Sequence, residues 1–231
     1  MAKRFFKVRS CIAAALCIAS LSAVSAQAFS DVSPNAYYKT AVDWAASEGI
    51  TSGSDKDRFS PDKLCTRAQT VTFLWRANGS PAVSGNNPFA DVTSEDYFYQ
   101  AVLWAVQNGV TSGTSATEFS PYKQVTRAQV ATFLHRAAGS PNPQSMARFA
   151  DVSSSAYYAN AVSWTAASGI TTGTSASAFS PDKGCTRAEI ATFLYRSKNG
   201  STQTTTPEPT PQVTEKPVSD LTKLDEKKEE T

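Results

Sequence analysis

The sequence predicts an all-α fold made of three tandem helix-loop-helix repeats, on three observations. The segments Phe29-Ser30-Asp31-Val32, Phe89-Ala90-Asp91-Val92 and Phe149-Ala150-Asp151-Val152 open units that start 60 residues apart. Inside each unit, apolar residues recur at three- and four-residue spacings, which is the stripe of an amphipathic helix. Each stripe is bounded by residues that stop or start helices. One short unit buries too little surface to be stable alone, so the copies are expected to stack on shared apolar faces.

The elements follow in chain order. Met1 to Ala28 carries Lys3, Arg4, Lys7 and Arg9, then an apolar stretch from Cys11 to Val24, then the small-residue pattern Ala26-Gln27-Ala28. This is the layout of a secretory signal peptide. Its apolar run of about fourteen residues is shorter than the roughly twenty needed to span a bilayer, so no membrane span is expected. Repeat one occupies residues 29–80, repeat two 88–140 and repeat three 148–198.

In repeat one, Tyr38, Ala41, Val42, Trp44 and Ala45 form the stripe of a first helix over 37–48, and Gly49 stops it as a left-handed cap. A turn-rich loop from Ile50 to Pro61 is expected to pin itself to the core through Ile50 and Phe59. The second helix starts at Thr66 and runs through Val71, Phe73 and Leu74 to about Ala77. Gly109 and Gly169, and the blocks at Thr126 and Thr186, repeat this layout. From residue 200 to 231 the chain is Thr/Pro-rich and then charged, with too few apolar residues to offset its ordering entropy, and is expected to be disordered.

Charge excludes some functions. The whole chain has 22 basic and 20 acidic residues, and loss of the four signal-peptide bases leaves a net charge of about −2. Nothing in that balance favours nucleic acid, and any anion recognition must be local. An enzyme is not expected. His135 is the only histidine, and its slot holds Trp75 and Tyr195 in the other copies. Asp55 and Asp57 have the alternate spacing of a calcium loop, but Ser115 and Thr117, then Ser175 and Ser177, replace them, so neither a metal nor a cofactor is expected. Cys65 and Cys185 share a slot that Val125 fills in repeat two. They are either buried free thiols or a disulfide, the latter requiring that the slot lie near the axis of a closed arrangement.

One motif carries chemistry. Thr66-Arg67-Ala68-Gln69, Thr126-Arg127-Ala128-Gln129 and Thr186-Arg187-Ala188-Glu189 read as capping boxes, which explains the threonine and the Gln or Glu. They do not explain the arginine, since a cation in the first turn opposes the helix dipole. Two readings fit it: an anion site where guanidinium, free helix amides and dipole converge on one carboxylate, or an ion pair with the aspartate of Phe-x-Asp-Val.

The order Phe-x-Asp-Val, Tyr-Tyr, Ala-Val, Gly-Ile-Thr-x-Gly, Phe-x-Pro and Thr-Arg-Ala-Gln/Glu, three times over residues 29–198, resembles the S-layer homology domain of bacterial surface proteins. The resemblance implies a monomeric pseudo-threefold arrangement around a central three-helix bundle, and secretion to the cell wall or cell surface. It also implies non-covalent anchoring, through grooves between repeats, to a secondary cell wall polymer, typically a pyruvylated amino-sugar polysaccharide. By the same resemblance Arg67, Arg127 and Arg187 contact the acidic sugar, Asp31, Asp91 and Asp151 match the family aspartate, and Gly53, Gly113 and Gly173 let the backbone approach the groove. Trp44, Trp104 and Trp164 either stack on a sugar face or belong to the core. Gln69 and Gln129 depart from the usual glutamate, which makes their grooves less negative. The alternative is a structural or protein-interaction module of the surface lattice with no carbohydrate ligand of its own.

Overall fold

A computed structural model describes residues 29–200 of the chain; the predicted signal peptide and all but the first residue of the predicted tail lie outside them. Among the described residues six helices account for the regular structure: α1 Lys39–Ser47, α2 Arg67–Arg76, α3 Tyr99–Gln107, α4 Arg127–Ala137, α5 Ala159–Ala167 and α6 Arg187–Asn199. Among the described residues there are no strands, only isolated antiparallel bridges at Leu64–Thr186, Thr66–Gln124 and Thr126–Gly184. The fold class is all-α, as the apolar spacing predicts.

The first helix of each copy is shorter than expected. Residues 33–38 run as turns, because Ser33, Pro34 and Asn35 favour them and Tyr38 supplies no side-chain cap. The predicted stop is present: Gly49 has φ +68°, and the amides of Ile50 and Thr51 fold back onto the Ala45 carbonyl at 2.8 and 3.1 Å. The second helices start on complete capping boxes. In the first, Thr66 Oγ1 accepts from the Gln69 amide while the Thr66 amide donates to Gln69 Oε1.

The connecting loop is held by the aspartate that opens the unit. Asp31 accepts the amides of Phe59 and Ser60, both at 2.8 Å. Ser60 sits at φ +56°, a left-handed conformation that costs a non-glycine residue about 1 kcal/mol or more, and two bonds to a carboxylate offset it. With the loop clamped, Phe59 is driven fully into the core, together with Ile50. Asp91 and Asp151 clamp Phe119 and Phe179 in the same way.

The copies close on one another in a cycle. α1 packs on α6, α3 on α2 and α5 on α4, so each first helix lies against the second helix of another copy. At the centre the fully buried slot residues form a ring of backbone bonds: Cys65 donates to Cys185, Val125 to Cys65 and Cys185 to Val125, at 2.9 to 3.0 Å. The large apolar cluster draws on all three copies, with Phe73, Leu74, Phe98, Val102, Phe133, Ile170, Ile190 and Phe193 among its members. Burying a side chain of this size contributes roughly 1.5–3 kcal/mol.

Candidate anion site at the second-helix starts

Arg67, Arg127 and Arg187 are the first residues of α2, α4 and α6, and at 3, 0 and 4 % exposure they are among the most buried side chains of the molecule. Each crosses into another copy. The Nε of Arg67 donates to the Phe119 carbonyl at 2.9 Å, that of Arg127 to Phe179 at 2.9 Å and that of Arg187 to Phe59 at 2.7 Å. Each guanidinium also lies between two phenylalanine rings. Arg67 stands 4.9 Å from Phe119 and 5.4 Å from Phe133, and Arg187 is 4.8 Å from Phe59 and 5.2 Å from Phe73.

Arg127 is completed by an ion pair with the buried Glu189 at 3.2 Å, whereas these contacts do not complete Arg67. Taking a guanidinium out of water costs several kcal/mol unless a charge partner is present. Cation–π contacts supply about 0.5–2 kcal/mol each and one charged hydrogen bond about 1.5–3. Burial pushes the guanidinium pKa of Arg67 and of Arg187 down from its ordinary value, although arginine stays charged. Nη2 of Arg67 is buried and has no hydrogen-bond partner, and in a buried cation an open donor is a place for an acceptor.

The structure alters the predicted chemistry of the helix start. The first amides of the second helices are not free: Arg67 N donates to Lys123 O, Ala68 N to Pro121 O and Gln69 N to Thr66 Oγ1. Those amides are therefore not available to an anion, which leaves the guanidinium as the group that could meet one. The alternative ion pair with the unit's aspartate is not formed by Arg67, whose Nε is on a carbonyl; the oxygens of Asp91 are taken by the amides of Phe119 and Ser120. Asp31, Asp91 and Asp151 act one step back. By fixing the Phe-Ser peptide they position the carbonyl to which each arginine donates.

At Arg187 the surroundings form a cavity of about 140 Å³, lined by Thr51, Ser52, Gly53, Gln69, Thr72, Phe73, Arg76 and Tyr97 beside the arginine itself. It is a groove between copies: the guanidinium comes from the third, most of the wall from the first and Tyr97 from the second. Arg76 adds a second cation, tied by one Nη1 bond to the Ile50 carbonyl. Gly53 lines this cavity at φ +95°. A Cβ there would lie 2.5 Å from the Arg58 carbonyl and 2.7 Å from Phe29, so the glycine is already required by its own loop.

The tryptophans are elsewhere. Trp104 is buried, Trp44 packs edge-on against Tyr195 and Trp164 packs on His135, and none lines the cavity. Trp44 and Trp164 are partly buried against the core cluster to which Trp104 belongs. The aromatic that sequence reasoning missed is Tyr97, with Tyr37 and Tyr157 in the same slot. All three are exposed, at 40, 60 and 68 % in chain order, and each stands edge-on against the aromatic that follows it. Two adjacent aromatics cannot both lie on one helix-facing stripe, which was the available signal.

Cys65 and Cys185 are not bridged, and both are fully buried. Of the two readings open for them, the structure has the unbridged one, although the backbone bond between them puts the slot at the centre of the assembly. Burial pushes the Cys65 thiol up to about 12, against the opposing pull of Arg187 and Lys63, which leaves it unreactive near neutral pH. His135 is in contact with the Pro141 carbonyl and Trp164. Among the described residues no group of three His, Cys, Asp or Glu converges, and no helix is long and apolar enough to cross a membrane.

Comparison with known proteins matches the sequence to a family model. The S-layer homology domain model matches residues 28–71, 88–131 and 148–191. The surface-layer 125 kDa protein of Lysinibacillus sphaericus is 30% identical over 198 residues, covering 84% of this chain and 17% of that protein. The S-layer protein of Bacillus thuringiensis subsp. finitimus is 27% identical over 184 residues, 78% of this chain and 22% of the relative. An endoglucanase of a Bacillus species, strain KSM-635, is 30% identical over 109 residues, 47% of this chain and 11% of the enzyme. The chain thus spans about a fifth of the length of the two surface-layer relatives.

Proposed function

The chain belongs to the S-layer homology domain family, and from that premise we propose that it is a non-enzymatic anchor that holds to the bacterial cell wall by binding an acidic secondary polymer between its copies. Its place is the cell wall or cell surface, in keeping with the family and its surface-layer relatives. The ligand is a polysaccharide whose amino sugar carries a pyruvate ketal, and the ketal carboxylate is what the guanidinium receives. The assembly is a single chain acting as a pseudo-threefold trimer of repeats around α2, α4 and α6.

The observation that carries this reading is the buried Arg67, desolvated between two rings and left with one unpartnered Nη2. The Phe119 carbonyl and the two rings hold the guanidinium between copies but leave Nη2 open, and a bound carboxylate completes it with a charge-assisted bond. At Arg187 the cavity admits a ketal-sized substituent, with Arg76 as a second cation and Tyr97 at its edge to receive an apolar sugar face.

The test is sedimentation with purified sacculi before and after chemical extraction of the secondary polymer. Wild-type protein is expected to co-sediment with native sacculi and to remain soluble with extracted ones. The double variant R67A/R187A, if folded by circular dichroism, is expected to lose at least about tenfold in affinity. Equal binding to extracted sacculi favours the lattice or protein-interaction alternative.

A further inference from the structure

The slot before the Thr-Arg-Ala block joins the first copy to the last, and both copies carry cysteine in it. The two segments run antiparallel there: Leu64 is bridged to Thr186, and the Cys65 amide donates to the Cys185 carbonyl at 2.9 Å. On the other side of that bridge the Arg187 amide donates to the Lys63 carbonyl, also at 2.9 Å. In this register Cys65 stands directly opposite Cys185. Residues opposed at a hydrogen-bonded position of an antiparallel pair have Cα atoms about 5.5 Å apart, within the roughly 4.4–6.8 Å that a disulfide spans. Both side chains are fully buried and belong to one apolar cluster, so they leave their segments toward the same interior. Val125, the third member of the ring, lies in that cluster too and has no sulfur. Packing therefore asks only for an apolar residue in this slot, and it does not account for a thiol in the two copies that close the cycle.

We propose that Cys65 and Cys185 form a disulfide in the exported protein, a covalent clasp between the first and third copies that locks the cycle shut. The unbridged pair in the structure is the reduced form of this fold. The location at the cell wall or cell surface is outside the compartment in which thiols are kept reduced. Two thiols become one S–S bond and give up two protons and two electrons. The acceptor is a second disulfide, of an extracytoplasmic thiol oxidoreductase or a small-molecule disulfide, which leaves as two thiols. In the closed fold burial holds the Cys65 thiol at about 12, so almost no thiolate is present to attack. The bond therefore forms while the slot is still open to solvent, and closure of the core then shields it from reductants. Because the two cysteines are 120 residues apart, the bond restricts the unfolded chain far more than a local contact does. The proposal needs the extracellular location and is independent of the ligand.

The test uses the full chain exported by a secreting bacterial host and collected without reductant. The protein is denatured in iodoacetamide, digested and mapped by mass spectrometry. The expected result is one disulfide-linked peptide pair joining Cys65 to Cys185, with neither cysteine alkylated. Thermal denaturation with and without a strong thiol reductant then measures the clasp. Reduction in the unfolded state followed by refolding is expected to lower Tm by about 10 °C. The variant C65V/C185V puts the residue of the second copy into both slots, and is expected to melt near the reduced wild type and to ignore the reductant. Complete alkylation of both cysteines in the exported protein, persisting after refolding with oxidised glutathione, overturns the proposal. So does a linked pair whose reduction leaves Tm unchanged. Should C65V/C185V fail to fold, the peptide map of the wild type still decides. Neither outcome bears on sedimentation with sacculi, so failure here leaves the anchoring function standing.

Discussion

Asp31 shows how much a single repeated residue does here. Its carboxylate holds the Phe59 and Ser60 amides, and so keeps a left-handed serine in place, seats a core phenylalanine and aims the carbonyl that Arg187 grips. Burial acts to raise its pKa, but the amides of Phe59, Ser60 and Asp31 itself, with the Arg58 guanidinium, outweigh burial and hold it below its ordinary value. A depressed carboxylate stabilises the fold fully above its unfolded pKa, about 4, and loses that contribution as pH falls through the lower folded value. Replacing Asp31 by Asn is therefore expected to cost about 1–3 kcal/mol at neutral pH. The gap to wild type should close toward the acid end, as measured by chemical denaturation at a series of pH values. The aspartate was legible in the sequence as a repeated residue, but not as a clamp, because its partners lie 28 and 29 residues away. A larger separation, 52 or 128 residues, hid the neighbours of each arginine. Its first-turn position stood out as unfavourable, yet only the packed structure shows that its charge leaves its own helix for a carbonyl and two rings in another copy.

The elements themselves were easier to read, since caps and stops are local chemistry. Thr66, Thr126 and Thr186 cap α2, α4 and α6, and the three capping boxes form as their spacing requires. What local pattern left open was which face of the first helix meets which neighbour, and so whether Trp44, Trp104 and Trp164 look into a groove or into the core. The glycines separate into two kinds by the same logic. Gly113 has φ +86°, and a Cβ on it would stand 2.5 Å from the Glu118 carbonyl, Phe89 and the Ser115 carbonyl. Gly139 has φ +83° with nothing within 4 Å. Gly139→Ala is expected to cost only the conformational strain, about 1–2 kcal/mol. Gly113→Ala must also displace backbone and is expected to cost clearly more, beyond about 3 kcal/mol. Equal losses in thermal denaturation would mean that the loop around Gly113 yields freely.

At the scale of the whole molecule, the cycle of packing makes the copies interdependent. α1 has its partner in α6, and the central ring passes through Cys65, Val125 and Cys185. A chain ending at residue 140 leaves α1 and α4 without α6 and α5, opens the ring and strands Arg127 without its phenylalanine carbonyl. It is expected to show no cooperative thermal transition under conditions where residues 29–200 melt as one unit. A sharp transition in the shorter chain would show that copies fold independently. The period itself announced three stacked units, but closure of the stack into a cycle depends on contacts between the first and last copies that no local pattern encodes. That closure also makes the cavity at Arg187, whose wall combines residues of all three copies. The most direct measurement compares calorimetric binding of the pyruvate-ketal hexosaminide with that of its methyl ester, which keeps the shape and removes the charge. Binding of the acid and at least about tenfold weaker binding of the ester is the predicted result; equal binding of the two would contradict a site built on guanidinium and carboxylate.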